Sequence, residues 1–369
     1  MTDKNRSIIN IGNMGYMSRV FEKIEKENKL NIVYLGGSIT MGCNATKEEL
    51  RYANRSAKWW TNNFPDAEVE FFNAGIGATT SQFGCARADD HVLSRDPDLV
   101  FVEFSVNDDN TPLFQETYES LIRKLLKHES VKAVVLINNL FYDTGANAQG
   151  IHNNIGLLYD LPIVSVRNYI YPEIQLGNVH LSDYTADMLH PSDLGHKMIA
   201  DLIMNLLDAE YTYYKKLGVS DKPKLPNAFT ACRYQDAQRF QNYNCTPVME
   251  GFTADTHKAD QWSNPFKDGW TAHDKGSKIV FKVTGGIIML QWKRTTNQPA
   301  PIAYAIIDGD EQNKVLLDAN FEETWGDLCA LTTIYESENK GEHTVDIIVD
   351  KEGKTDSDFM VISVIGANK

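Results

Sequence analysis

Residues 31–40 read NIVYLGGSIT, a short apolar-rich run that ends in a Gly-Gly-Ser turn. A run without polar/apolar alternation suits a strand covered on both faces, as in a parallel sheet. Gly36 and Gly37 let the backbone turn sharply out of that strand. Similar runs recur at 69–72 (VEFF), 99–104 (LVFVEF), 131–137 (VKAVVLI) and 161–166 (LPIVSV). Segments with helical character separate them, at 46–62, 81–93, 111–128 and 146–159, and a last one at 192–217 opens with Pro191-Ser192-Asp193. Strands alternating with helices of 10–15 residues predict βαβ units with right-handed crossovers. The expected domain, residues 1–217, is a three-layer α/β/α fold on a five-stranded parallel sheet.

Composition changes beyond it. Residues 218–229 (GVSDKPKLPNAF) are rich in Pro and Lys and read as a linker. From 230 to 369 short strand-like runs follow one another at 278–283, 287–292, 302–307, 314–317, 328–334, 343–349 and 359–365. Gly285-Gly286, Asp308-Gly309 and Asn339-Lys340-Gly341 supply turn chemistry between them. This spacing predicts an all-β sandwich or jelly roll.

The 369 residues carry 50 Asp and Glu against 36 Lys and Arg, a formal charge of −14, which argues against nucleic acid, anionic membranes and polyanionic substrates and suits a neutral substrate such as a sugar. The five cysteines are scattered and none forms a CxxC pair, so neither a disulfide framework nor a zinc ribbon is indicated. The opening residues MTDKNRSIIN lack the apolar core of a signal peptide, and runs such as 133–137 are too short to span a bilayer. A cytoplasmic location is therefore expected. An open sheet edge or the β domain could support a homodimer.

Chemistry-bearing residues gather where strands end, the edge at which open α/β sheets bind ligands. Ser38 follows the first run; on its own it also reads as a helix cap. After the second run comes 73–80 (NAGIGATT), where Thr80 stands at the third glycine of a dinucleotide loop, and Gly36-Gly37-Ser38 lacks the lysine of a P-loop. After the third comes 105–110 (SVNDDN), readable as a polar turn or as oxygen ligands, and near the end Asp187-Met188-Leu189-His190. Together they supply the parts of an acyl-transfer site. Ser38 is the nucleophile, His190 its base, and Asp187 orients that base. Backbone N–H groups of Ser38 and the 75–78 loop, with the Asn107 amide, are donors for the developing oxyanion. No metal and no organic cofactor is expected.

These four segments resemble the four blocks of the SGNH (GDSL-like) hydrolases: Gly-Gly-Ser-Ile-Thr, Asn-Ala-Gly-Ile-Gly-Ala-Thr-Thr-Ser, Ser-Val-Asn-Asp and Asp-Met-Leu-His-Pro. The resemblance covers roughly residues 30–210 and implies a Ser38/Asp187/His190 triad, with Ser38, a second-block N–H and Asn107 as the oxyanion hole. Two departures stand out. Ala78 aligns where the family usually has the Gly donor, with Gly77 just before it, and Ser105 replaces the usual Gly of the third block. An SGNH half followed by a jelly-roll half resembles carbohydrate esterases with a carbohydrate-binding-module-like domain, above all the intracellular mannan acetylesterases of gut bacteria. That resemblance implies a serine esterase that removes O-acetyl groups from plant-derived oligosaccharides, manno-oligosaccharides first. The alternatives are an acetylxylan esterase, a small-ester or lipid acylhydrolase, and a non-catalytic sugar-binding protein. A general base works only in its unprotonated form, so activity is expected to fall on the acid side. Aromatic rings stack on the apolar faces of sugars. Trp325, between acidic residues in 321–327 (FEETWGD), is the expected sugar clamp; Trp262, Trp270 and Asp108 are further candidates, while Trp292 in the run IIMLQW reads as core.

Overall fold

The computed structural model describes residues 3–257 and 262–369. The chain divides into two compact units, Met1–Cys232 and Arg233–Lys369.

Among the described residues, the first unit contains β1 (Ile8–Asn10), α1 (Met14–Glu27), β2 (Lys29–Gly36), α2 (Ser38–Met41), α3 (Tyr52–Asn63), β3 (Glu68–Gly75), α4 (Ser81–His91), β4 (Leu99–Glu103), α5 (Pro112–Lys127), β5 (Ala133–Asn138), α6 (Gln149–Leu158), β6 (Ile163–Ser165), α7 (Val166–Gln175), α8 (Leu181–Tyr184) and α9 (Asp193–Leu217). The sheet order is β1-β6-β5-β4-β2-β3. All five expected strands are there and parallel, and every residue of β4 and β5 is buried, as their unbroken Val/Ile/Leu/Phe runs require. The correction is a sixth strand: β1 pairs antiparallel with β6, Ile8 opposite Val164. Three residues with a register shift are too short to show a period. Helix α1 was also unexpected, although Met17, Val20, Phe21 and Ile24 form a fully buried stripe at helical spacing. Asn13 opens it by accepting from the Gly15 N–H, and the left-handed Asn28 closes it.

The crossovers from β2 to β3 and from β3 to β4 bring the C-terminal ends of these three strands side by side, with Gly36 in register with Gly75 and Glu103. The backbones there leave no room for side chains. A Cβ on Gly75 would lie 2.2 Å from the Met41 nitrogen, and one on Gly36 2.5 Å from the Glu103 carbonyl oxygen. These two glycines let α2 lie directly on the sheet edge.

The expected linker is bonded to the first unit. The Ser220 N–H donates to Ser18 Oγ, and Lys222 Nζ donates to the carbonyls of Leu126 and Val131. Arg123 donates to the Pro226 carbonyl, and the N–H groups of Phe229 and Thr230 both reach Glu119. Burial works against the Glu119 charge, but these donors and the hydroxyls of Thr230 and Tyr159 outweigh it and lower its pKa. Among the described residues no helix is long and apolar enough to cross a membrane.

The second unit is all-β: β7 (Gln238–Phe240), β8 (Val248–Glu250), β9 (Thr253–Ala254), β10 (Trp270–Ala272), β11 (Lys278–Thr284), β12 (Ile287–Arg294), β13 (Ile302–Ile307), β14 (Val315–Asp318), β15 (Leu328–Glu336), β16 (Glu342–Lys351) and β17 (Phe359–Ala367). Two antiparallel sheets, β15-β12-β17-β10-β9 with β7 beside β17, and β14-β13-β16-β11-β8, share one core. The seven expected strands are β11 to β17; β7 to β10, each two or three residues long, were not expected. Trp270 on β10 belongs to the core, 1% exposed and edge-on to Phe281 at 5.0 Å. Trp270→Ala should therefore cost about 3–5 kcal/mol, as for other buried aromatics. A denaturant melt of the variant reads this directly, and a loss below about 1 kcal/mol would contradict a core position.

Candidate active site

Ser38 is the first residue of α2, immediately beyond the β2 edge, and 7% exposed. His190 reaches it from the loop before α9, which a bridge between Thr185 and Pro191 closes. His190 Nε2 lies 2.9 Å from Ser38 Oγ, and Nδ1 lies 2.7 Å from Asp187 Oδ2. With Nδ1–H donated to the carboxylate, Nε2 is left to accept the serine proton. Asp187 is held firmly. Its Oδ1 accepts from the N–H groups of Leu189 (3.0 Å) and His190 (2.7 Å), and Asn44 Nδ2 approaches Oδ2 at 3.3 Å. Met188 takes the left-handed conformation, φ 66°, that folds the loop back so that these donors meet one carboxylate. Partial burial opposes the charge, yet the His190 ring and the two N–H groups prevail and bring the Asp187 pKa down to about 2.

The second and third blocks flank Ser38. Asn107 sets its amide oxygen against Gly37: a Cβ there would lie 2.2 Å from Asn107 Oδ1. Gly77 borders the serine, its Cβ direction 3.9 Å from the Ser38 Cβ. Ala78 is exposed and left-handed, φ 54°, a conformation in which glycine costs nothing and a Cβ costs roughly 1–2 kcal/mol. The loop is tied to the nucleophile's turn. Asn73 Nδ2 donates to the Thr40 carbonyl and the Ile76 N–H to the Gly36 carbonyl. Beneath it Arg87, fully buried on α4, donates to the carbonyls of Ala74 (2.6 Å) and Gly36 (3.0 Å). The arrangement is one in which a serine hydroxyl can lose its proton to an oriented imidazole beside N–H donors fixed in advance.

The GDSL-like lipase/acylhydrolase family matches residues 34–198. Two solved structures of a two-domain esterase (CEX) active on acetylated mannans, one co-crystallized with mannopentaose, share 41% identity with the chain, cover 100% of it and 99% of their own length, and superpose with TM-scores of 0.95 and 0.96. The chain belongs to the GDSL-like lipase/acylhydrolase family. Among curated proteins none matches.

Against that family's blocks, the two departures have structural accounts. Ala78 keeps its N–H in the conformation a glycine adopts more readily. Ser105 donates its hydroxyl to Glu103 Oε1 (3.0 Å), which also accepts the Ser105 N–H (3.1 Å), so the extra side chain caps a carboxylate that burial pushes up to about 7. Two candidate sugar contacts need correction. Trp270 is core, as described. Asp108 is 5% exposed and engaged inward, accepting from the Ser81 N–H (2.9 Å) and lying 3.1 Å from His152 Nε2. Trp292 is core as expected, stacked on Phe359. Trp262 is half-buried. Trp325 is 59% exposed, its ring edge-on to Phe321.

Several residues at the site went unread in the sequence. His196 donates from Nε2 to the Cys43 carbonyl and accepts the Tyr52 N–H at Nδ1, fastening both ends of the 43–52 loop; burial lowers its pKa to about 4, so it stays neutral. Thr46 donates its N–H and hydroxyl to Asp193, joining the same loop to the start of α9.

Ala78→Gly should raise stability by roughly 0.5–1 kcal/mol, the left-handed strain relieved less the added chain entropy, as measured by urea unfolding. Asp187 contributes stability that is present above the ordinary carboxylate range and is lost as the pH falls toward about 2. Asp187→Asn should flatten the stability–pH curve between about pH 4 and 2, and thermal melts across that range test it.

Proposed function

We propose that the chain is a carbohydrate acetylesterase that removes O-acetyl groups from plant-derived oligosaccharides, manno-oligosaccharides foremost, through an acyl-enzyme on Ser38. The observation that carries this reading is the His190 ring between Ser38 Oγ at 2.9 Å and Asp187 at 2.7 Å. Further support comes from the activity on acetylated mannans of the two-domain esterase that is 41% identical over the whole chain.

His190 accepts the Ser38 proton as Oγ attacks the acetyl carbonyl. The imidazolium is stabilised by Asp187, whose depressed pKa keeps it ionised throughout. The tetrahedral oxyanion is met by the N–H of Ser38, an N–H of Gly77 or Ala78, and Asn107 Nδ2. Each such donor is worth on the order of 10²–10³ in rate. His190 then protonates the departing sugar hydroxyl. Water, deprotonated by the same ring, attacks the acetyl-serine and releases acetate. Trp325 adds an exposed aromatic face on which a pyranose can stack.

Acetate release from acetylated mannan and xylan oligosaccharides, followed side by side by mass spectrometry, tests the proposal. Loss selective for mannan and absent in Ser38→Ala is the expected outcome. Equal loss from xylan would retire the mannan preference, and unchanged loss in Ser38→Ala would retire the nucleophile. Trp325→Ala should raise KM for acetylated manno-oligosaccharides about tenfold, the scale of one lost stacking contact, and leave 4-nitrophenyl acetate hydrolysis unaltered. Equal effects on both substrates would remove Trp325 from the sugar site.

A further inference from the structure

We propose that His152, acting through Asp108, is a positioning residue that sets the distance between the two halves of the oxyanion hole. The inference rests on the reading of Asn107 and the 77–78 loop as oxyanion donors. Asp108 follows Asn107 directly, and the N–H groups of both bond to the Phe104 carbonyl, so the pair forms one tight turn off β4. Holding Asp108 therefore holds Asn107.

The two Asp108 oxygens reach different elements. Oδ1 accepts the N–H of Ser81, the first residue of α4 and only three positions beyond Ala78. That N–H has no partner within its own helix, and a carboxylate at a helix N-terminus is favoured by the helix dipole. Oδ2 lies 3.1 Å from Nε2 of His152, on α6. One carboxylate thus joins the end of the second block to the end of the third, and His152 fixes its rotation from the far side.

His152 is itself immobilised. It is fully buried, with the Tyr118 ring of α5 stacked on it at 3.6 Å and 7°. Its Nδ1 is buried without a hydrogen-bond partner. A carboxylate oxygen accepts, so Nε2 is the nitrogen that donates to Asp108. Without that donor Asp108 Oδ2 is a buried acceptor that has lost its partner, and the carboxylate is free to turn about the Ser81 bond. Donors work best when they need no rearrangement as charge develops, and a displacement near 1 Å costs about 10²-fold in rate.

The test uses the full chain and 4-nitrophenyl acetate, with rates taken per folded enzyme. His152→Phe keeps the stack on Tyr118 and removes the donor. It should lower kcat by about 10–100-fold with KM changed less than about twofold. His152→Gln carries an amide N–H where Nε2 stood and should restore most of the rate. Asn107→Ala is measured beside them, and the Asn107→Ala/His152→Phe double variant should be no slower than Asn107→Ala alone, because the positioned group is gone. A full loss in Asn107→Ala with no change in His152→Phe overturns the positioning role and leaves the oxyanion reading intact. An unchanged rate in Asn107→Ala defeats the oxyanion reading itself. Additive losses in the double variant, or equal losses in Phe and Gln, mean that His152 acts only on the fold. If His152→Phe does not fold, Asp108→Asn, which keeps an oxygen for the Ser81 N–H, provides the same comparison: loss in kcat supports the role and an unchanged kcat overturns it.

Discussion

Everything at the candidate site depends on how closely three strand ends approach one another. Gly36, Gly75 and Glu103 lie in one register across β2, β3 and β4, and the two glycines leave no space for a Cβ. Because of that, α2 can sit on the sheet edge itself, with Ser38 at its first position. Gly37 continues the constraint by giving up its side-chain space to the Asn107 amide. Arg87 stabilises the same junction from below, its guanidinium shared between two carbonyls at the strand ends. Ser38 and the Asn107 amide are thereby braced by close-packed backbone, the arrangement in which preorganisation is cheapest to maintain.

The site contains two aspartate–histidine pairs of similar geometry and different surroundings. Asp187–His190 stands on a loop and is partly open to solvent, the access that proton exchange with substrate and water would require. Asp108–His152 is sealed from solvent on both sides. Access to water, more than bond length, separates a group that can turn over from one that can only hold.

Legibility in the sequence followed the range of the interactions involved. The five parallel strands announced themselves because burial on both faces writes a continuous apolar run, and β11 to β17 because turn residues bracket them. Strand β1 and β7 to β10 are too short to carry a period, which is why Trp270, the first residue of the three-residue β10, reads from sequence as a candidate sugar contact. Ser38, Asp187, His190 and Asn107 were legible because four local motifs occur in one order. Asp108 was misassigned because a polar residue beside a site looks the same whether it faces ligand or interior. Arg87, His152 and His196 were not legible at all: each is a single polar residue on a helix, and its meaning lies in partners 51, 44 and 153 positions away. The two departures from the family pattern, Ala78 and Ser105, were visible as substitutions, but their consequences needed φ at one and the Glu103 contact at the other.

The strap after α9 bears on where this chain can be divided. By composition the boundary lies near residue 217, yet the compact unit runs to Cys232. Glu119 on α5 is buried, and three of its donors come from Phe229 and Thr230. A fragment stopping at 217 would take three donors from that carboxylate and leave it the Tyr159 hydroxyl, a loss of several hydrogen bonds to one charge. The apparent linker is thus the final layer of the first half, and a gene fragment meant to express that half by itself has to carry it.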